Sequence, residues 1–380
     1  MGHATRIARR TGRDAMARAA PLHIAILGSV GVPARYGGFE TLAENLVRYH
    51  AATDRPERLS VYCSGPAYPD RPERFANADL IYSRFRANGA ASVAYDATTL
   101  RDAVARGVDV ALLLGVSGAV SLPLLRRGAM RLITHVDGLE WRRGKWSAPV
   151  RAFLRYSETL AVRHSDAIIA DNPAIATHLG QAHGITPEII AYGGDHAVEP
   201  PDPPSAPRGD LPGTYALALC RIEPENNVAM ILEAFAESPM PLVFVGNWDD
   251  SRYGRGLRAT YGGRDGLHLL DPIHAPGPRY ALRAGAAAYI HGHSAGGTNP
   301  ALVEMMHFGL PIFAFDCTFN RQTTDGRALF FHDAGALRKL LAAPLPLDVG
   351  PALRARAQDA LTWDRIGDAY FDLFTRMAGA

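Results

Sequence analysis

Six prolines, Pro200, Pro201, Pro203, Pro204, Pro207 and Pro212, crowd the stretch 197–213, and no hydrophobic period runs through it. Proline fixes φ and removes a backbone donor, so neither a helix nor a central strand passes through such a run. It reads as a semi-rigid linker. A linker in the middle of a 380-residue chain divides it into two units, each long enough to bury its own core.

Both units alternate short apolar runs with stretches of helical spacing. Before the linker, strands are expected at 23–27, 59–63, 80–85, 108–114, 131–135, 167–170 and 188–191, and helices from Phe39 through Val47 and at 96–106, 119–127, 149–164 and 173–179. After it, strands are expected at 215–220, 242–245, 288–291 and 312–315, and helices at 228–237, 278–284, 301–308, 351–360 and 363–377. Strand–helix alternation implies parallel sheets covered on both faces. The fold class is therefore α/β, with two Rossmann-like, doubly wound domains facing each other across a cleft. The expected division is a basic, flexible tail at 1–20, a first domain at 21–196, the linker at 197–213 and a second domain at 214–356. A final helix at 357–380 crosses back toward the first domain.

The richest chemistry lies in Gly292 to Pro311, GHSAGGTNPALVEMMHFGLP. Asn299 is a strong N-cap and Pro300 suits the first helical position. Ahead of them Gly296, Gly297 and Thr298 leave amides uncrowded where the helix dipole favours an anion, a seat for a phosphate. Glu304 follows inside the helix. A carboxylate near a phosphate seat suits ribose hydroxyls better than the phosphate itself, since like charges repel. The alternative is a capped surface helix with a solvated glutamate.

Two further stretches point to the same cleft. Residues 23–27 run into Gly28, and ARYGGFET places Gly37 and Gly38 before a helix, a geometry that lets a phosphate approach. The G-x-G-x-x-G spacing of a dinucleotide fingerprint is absent, which argues against a dehydrogenase. Strand 131–135 delivers HVDGLEWRRGKW, residues 135–146, at its C-terminal edge, where open parallel sheets collect their functional groups.

Composition narrows the classes. A net charge of +2 argues against a general nucleic-acid binder. Cys63, Cys220 and Cys317 offer neither a disulfide framework nor metal-ligand spacing, which fits a reducing cytoplasm. The most apolar window, 110–125, is too short for a membrane span and carries Gly115, Gly118 and Pro123. Arg6, Arg9, Arg10, Arg13 and Arg18 in the tail suit an anionic membrane surface, but the tail has few large apolar residues to insert.

Taken together, HVDGLEWRRGKW, ARYGGFET, CRIEPENN and the motif at 292–311 resemble the family 4 glycosyltransferases of the GT-B fold. The likeness is closest to the bacterial branch that includes rhamnosyltransferases, and it covers residues 22–375. It implies a retaining transfer from a nucleotide-sugar donor, dTDP-rhamnose foremost, to a lipid-linked glycan acceptor at the inner face of the cytoplasmic membrane, with no cofactor and no metal. Arg221 matches the arginine that neutralises the donor diphosphate; Asn226 stands where a lysine partner is expected. Glu304 matches the glutamate that binds ribose, and Gly296 stands where a first glutamate orients the donor sugar. The resemblance places Gly37, Gly38, Gly296, Gly297, Thr298 and Asn299 at the donor, and His135 beside the transferred sugar. It turns Asp137, Glu140 and Trp141 toward the acceptor, puts Tyr192 to Asp195 at the hinge, and sets Phe319, Asn320 and Arg321 near the donor base or sugar. The alternative for the 135–146 loop tucks Trp141 and Trp146 into the first core. Rivals to transfer are a sugar-nucleotide epimerase of the same fold and a catalytically silent sugar-nucleotide-binding protein.

Overall fold

The computed structural model describes residues 20–35, 37–136, 138–142, 146–201 and 211–380, and the statements below concern those residues. The first domain is built on strands β1 (His23–Leu27), β2 (Arg58–Ser64), β3 (Arg74–Phe75), β4 (Ala78–Ser83), β5 (Val110–Leu114), β6 (Arg131–Val136), β7 (Ala167–Ala170) and β8 (Glu188–Ile189). They form one sheet in the order β3-β4-β2-β1-β5-β6-β7-β8, parallel except for the antiparallel β3–β4 pair. Helices α1 (Gly38–Ala52), α2 (Ser92–Ala105), α3 (Ala148–His164) and α4 (Pro173–His183) cover it.

The second domain repeats the scheme with β9 (Ala216–Leu219), β10 (Leu242–Val245), β11 (Leu267–Leu270), β12 (Ala288–His291), β13 (Ile312–Phe315) and β14 (Leu329–Phe331), ordered β11-β10-β9-β12-β13-β14 and parallel throughout. Its helices are α5 (Val228–Phe235), α6 (Arg252–Tyr261), α7 (Pro276–Ala284), α8 (Pro300–Phe308), α9 (Thr318–Thr323), α10 (Ala334–Ala342) and α11 (Val349–Ala360). The strands are near-continuous runs of buried apolar residues, as sheets covered on both faces require.

The last helix, α12 (Trp363–Gly379), belongs to the other domain's core. Ile366, Tyr370, Phe371, Leu373 and Phe374 are buried with Leu42, Leu46 and Val47 of α1, and the Phe371 ring stacks on His50 at 5.2 Å. Each such side chain contributes about 1.5–3 kcal/mol of gross burial energy.

The sequence-based outline differs from the structure in places that have physical causes. The helix expected at 119–127 is a 3-10 helix, Ser117–Leu124, because Pro123 removes a donor inside it and Leu125 is already extended. The strand expected at 188–191 is shortened to two residues at the sheet edge. Strands β3, β11 and β14 and helices α6, α9 and α10 go beyond the elements expected from the sequence; β3 and β14 are only two and three residues long, His268 interrupts β11, and α9 spans six residues.

Candidate functional site

Each sheet reverses its winding at one point, between β1 and β5 in the first domain and between β9 and β12 in the second. Ligands of open α/β sheets bind outside the carboxyl ends of strands at such switch points. The two points face each other across a cleft of about 690 Å³ whose walls include Gly28, Gly38 and Asp171 on one side and Arg221, Gly296 and Glu304 on the other. At Gly28, φ is +87° and a Cβ would lie 2.3 Å from the Leu114 carbonyl oxygen, so only glycine lets β1 exit here. Gly37 and Gly38 open α1 on the same wall, and Gly38 faces the Pro300 ring across the cleft, 3.3 Å from where its Cβ would be.

The glycine loop before α8 forms as its sequence dictates. The Asn299 side chain accepts from Ala301 N at 3.0 Å, Pro300 begins the helix, and Gly309 ends it in the left-handed region. The amides of the expected phosphate seat are partly occupied, which corrects the picture of an open seat. Thr298 N donates to the Asp171 carboxylate at 3.1 Å, and the Thr298 hydroxyl donates to the Asp171 carbonyl at 2.6 Å. A Cβ on Gly297 would meet the Asp171 carboxylate at 2.0 Å, and one on Gly138 would meet Gly296 Cα at 2.7 Å. The first domain thus touches the loop at Gly296, Gly297 and Thr298, and a side chain at Gly297 or Gly138 would part them.

Glu304 is buried, so the solvated-surface alternative fails. It is also not a lone carboxylate. Arg283 Nη2 donates to its Oε2, and His196 Nε2 lies 3.3 Å from its Oε1. Burial alone would raise its pKa; Arg283, His196 and Arg279 outweigh that and hold the carboxyl at about 2. Arg279, one turn before Arg283 on α7, lines the cleft and forms no ion pair among the described residues.

Arg221 lines the cleft just past β9, and among the described residues its guanidinium pairs with neither Glu223 nor Glu225. Asn226, at the position where a lysine is expected, is committed elsewhere. Its Nδ2 donates to the Arg221 carbonyl at 2.7 Å and its Oδ1 lies 2.7 Å from His293 Nδ1, so it braces the loop that presents Arg221. Asn320 donates to the His293 carbonyl at 2.9 Å, while Arg321 pairs with Asp316 at 2.6 Å and stays outside the cleft lining.

His135 does not reach the cleft. Its ring is buried behind Phe39 and Tyr192, with centroids at 5.2 and 6.0 Å, and both of those residues line the cleft. Among the described residues neither ring nitrogen has a hydrogen-bond partner, and burial pushes the pKa down to about 3. The strand that carries it is central, so its last side chains are covered by neighbours. Glu140 lines the cleft, accepting from Trp146 Nε1 at 3.1 Å. Trp141 turns away from it: the indole donates to Glu158 at 2.9 Å and its ring lies 5.7 Å from His178, on the α3–α4 side. Asp137, with Arg143 and Lys145, lies outside the described residues.

Sequence reasoning missed Asp171, His196, Arg279 and Arg283. Asp171 directly follows β7, so the strand-edge rule that picked out His135 would have found it. The arginines sit on a helix whose partner across the turn, Glu304, is close only in three dimensions.

Residues 22–112 and 124–195 match a family model described as a domain of unknown function, DUF1972. No curated protein matches the chain. Solved structures do. Sucrose-phosphate synthase from Thermosynechococcus elongatus superposes with a TM-score of 0.78 over 94% of this chain and 99% of that one, at 16% identity. The catalytic domain of starch synthase IV from Arabidopsis thaliana, bound to ADP and acarbose, gives 0.70 over 95% and 100%, at 12% identity. Anabaena HepE in complex with UDP-glucose gives 0.69 over 93% and 99%, at 14% identity. The fold is GT-B, as expected from the sequence. Among the described residues no group of three or more His, Cys, Asp or Glu side chains is gathered to hold a metal ion, and no helix is long and apolar enough to cross a membrane.

Proposed function

We propose that this chain is a retaining glycosyltransferase that moves a sugar, rhamnose from dTDP-rhamnose in the first instance, onto a lipid-linked saccharide in bacterial cell-surface polysaccharide synthesis. One observation carries it: the cleft between two switch points holds an arginine, Arg221, with no ion pair among the described residues, a glycine loop at a helix N-terminus and an ionised buried carboxylate, Glu304. Those are the chemistries of a diphosphate and of a sugar hydroxyl. Neighbours of the same fold bound to UDP, UDP-glucose or ADP support a nucleoside-diphosphate donor.

Arg221 neutralises the diphosphate as negative charge develops on the leaving group, and Arg279 supplies the second cation that Asn226 does not. The amides from Gly296 to Asn299 complete the seat once Asp171 yields Thr298 N. Glu304 accepts from the nucleoside's ribosyl hydroxyl, of which a dTDP donor carries one. His135 is a positioning group, acting through Phe39 and Tyr192. Asp137 and Glu140 are assigned to acceptor binding. No nucleophile and no metal are assigned. The acceptor's lipid places the work at the inner face of the cytoplasmic membrane, with the arginine-rich tail as a contact for anionic headgroups.

Incubation with a donor panel and a GlcNAc-pyrophosphoryl lipid tests the assignment. A new lipid-linked disaccharide formed from dTDP-rhamnose, and lost by at least about a hundredfold in Arg221→Ala, is the expected result, on the scale of removing one charge-stabilising donor. Donor binding without turnover across the panel favours a silent binding protein. Interconversion of the donor sugar favours an epimerase.

A further inference from the structure

The connection between the domains passes directly behind Glu304. Tyr192-Gly193-Gly194-Asp195 threads between α8 and the first turn of α12: a Cβ on Gly193 would lie 2.6 Å from the Trp363 ring, and one on Gly194 would lie 2.8 Å from Glu304 N. Beyond this point Asp195 Oδ1 accepts from Trp363 N at 2.8 Å, and the Trp363 indole Nε1 donates to His196 Nδ1 at 2.8 Å. An indole nitrogen can only donate. Nδ1 of His196 therefore holds a lone pair, and the proton of the neutral ring is on Nε2, the nitrogen 3.3 Å from Glu304 Oε1. With Arg283 on Oε2, both carboxylate oxygens are fixed in place. A carboxylate offers about four acceptor sites, so two remain for hydroxyl donors in the cleft.

We propose that His196 is a positioning residue for a nucleoside-diphosphate sugar: held in one tautomer by Trp363, it aims Glu304 at the ribosyl hydroxyls without touching the ligand. This rests on the assignment of the cleft as a nucleotide-sugar site. The chemistry follows the general rule that a buried carboxylate is useful for recognition only when other donors fix its rotamer and keep it ionised. The far end of the relay is the first residue of α12, whose apolar face lies in the first domain's core. The aim of Glu304 thus depends on where the first domain stands.

The test uses the full chain, labelled with ¹⁵N-tryptophan, and UDP and dTDP as separate probes. UDP presents two ribosyl hydroxyls and dTDP one. The Trp363 indole resonance is identified by its loss in Trp363→Phe. In the wild type, saturation with UDP shifts that resonance. His196→Ala raises the Kd for UDP about tenfold or more, the scale of one hydrogen bond to a charged group, and the Kd for dTDP by less. In turnover the loss falls on the donor KM, with kcat at saturating donor within about twofold of wild type. His196→Gln, whose amide can accept from Trp363 and donate to Glu304, restores UDP affinity to within about threefold, since both bonds are remade. The proposal is overturned by an unchanged Kd in a folded His196→Ala protein, by a Gln variant that folds and binds as weakly as Ala, or by a Trp363 resonance that stays still on saturation. A wild-type protein that binds neither nucleotide and turns over no donor overturns the cleft assignment itself, and this proposal with it.

Discussion

Thr298 donates both its amide and its hydroxyl to Asp171, at 3.1 and 2.6 Å, so the loop that opens α8 is bonded to the residue that follows β7 in the opposite domain. The helix N-terminus favours an anion, and here the anion is the protein's own carboxylate. A diphosphate entering the cleft meets that negative charge before it meets the amide.

Replacing Asp171 with asparagine keeps an acceptor oxygen for Thr298 and removes the charge. Affinity for UDP or dTDP should rise about three- to tenfold, roughly 1 kcal/mol at this partly desolvated site, read by calorimetry. Weaker binding by Asp171→Asn would instead mean that the carboxylate contacts the ligand.

Arg283→Ala leaves the buried Glu304 with His196 as its remaining hydrogen-bond-range partner and should cost about 3–5 kcal/mol, the penalty for breaking a buried pair. Glu304→Gln strands the arginine and should cost a similar amount, so the double variant should be less destabilised than the sum of the two. The pH dependence has a definite sign. Glu304 is held at about 2 against an ordinary 4.5, so its stabilisation is complete above 4.5 and is lost as pH falls from there toward 2. Urea unfolding between pH 7 and 3 should show Arg283→Ala losing that acid limb.

His135 and His291 titrate near 3 because burial disfavours their charged forms. The unfolded chain binds protons from about 6.5 downward while the folded one does not, so each ring lowers stability by about 1.4 kcal/mol per pH unit between 6.5 and 3. His135→Phe puts an apolar ring among Phe39, Tyr192 and Tyr370. It should leave the melting temperature at pH 7.5 within a few degrees and raise it at pH 5 relative to wild type.

Gly194→Ala would drive a methyl group to 2.8 Å from the backbone of α8 at Val303 and Glu304. Overpacking of this kind costs about 1–3 kcal/mol. Because the displaced atoms are those that carry Glu304, nucleotide affinity should fall along with the melting temperature; a variant that loses stability alone would place the strain elsewhere.

The strands at 167–170, 242–245, 288–291 and 312–315 were legible to the residue, since a strand buried on both faces is an apolar run that stops where the sheet stops. The run LHLL of β11 was not, because His268 interrupts it in a strand of only four residues. Glu304 could be picked out as a candidate from its neighbours in sequence. Its state could not, because Arg283 comes from α7 and His196 from the interdomain segment. Trp141 and His135 show the same limit from the other direction. Both sit in a promising motif, and their partners, Glu158 on the next helix and Tyr370 on the last one, decide that one turns away from the cleft and the other is sealed in.

The placement of α12 sets an order of assembly. Synthesis at about 5–20 residues per second delivers Trp363 roughly 10–30 seconds after residue 196 has been made. Throughout that interval the groove that takes Tyr370, Phe371 and Phe374 is uncovered, and every strand and helix of the second domain through α11 is made before it is filled. The half translated first is therefore the half finished last, and a nascent chain halted before residue 363 would present an unsealed apolar groove to chaperones and proteases.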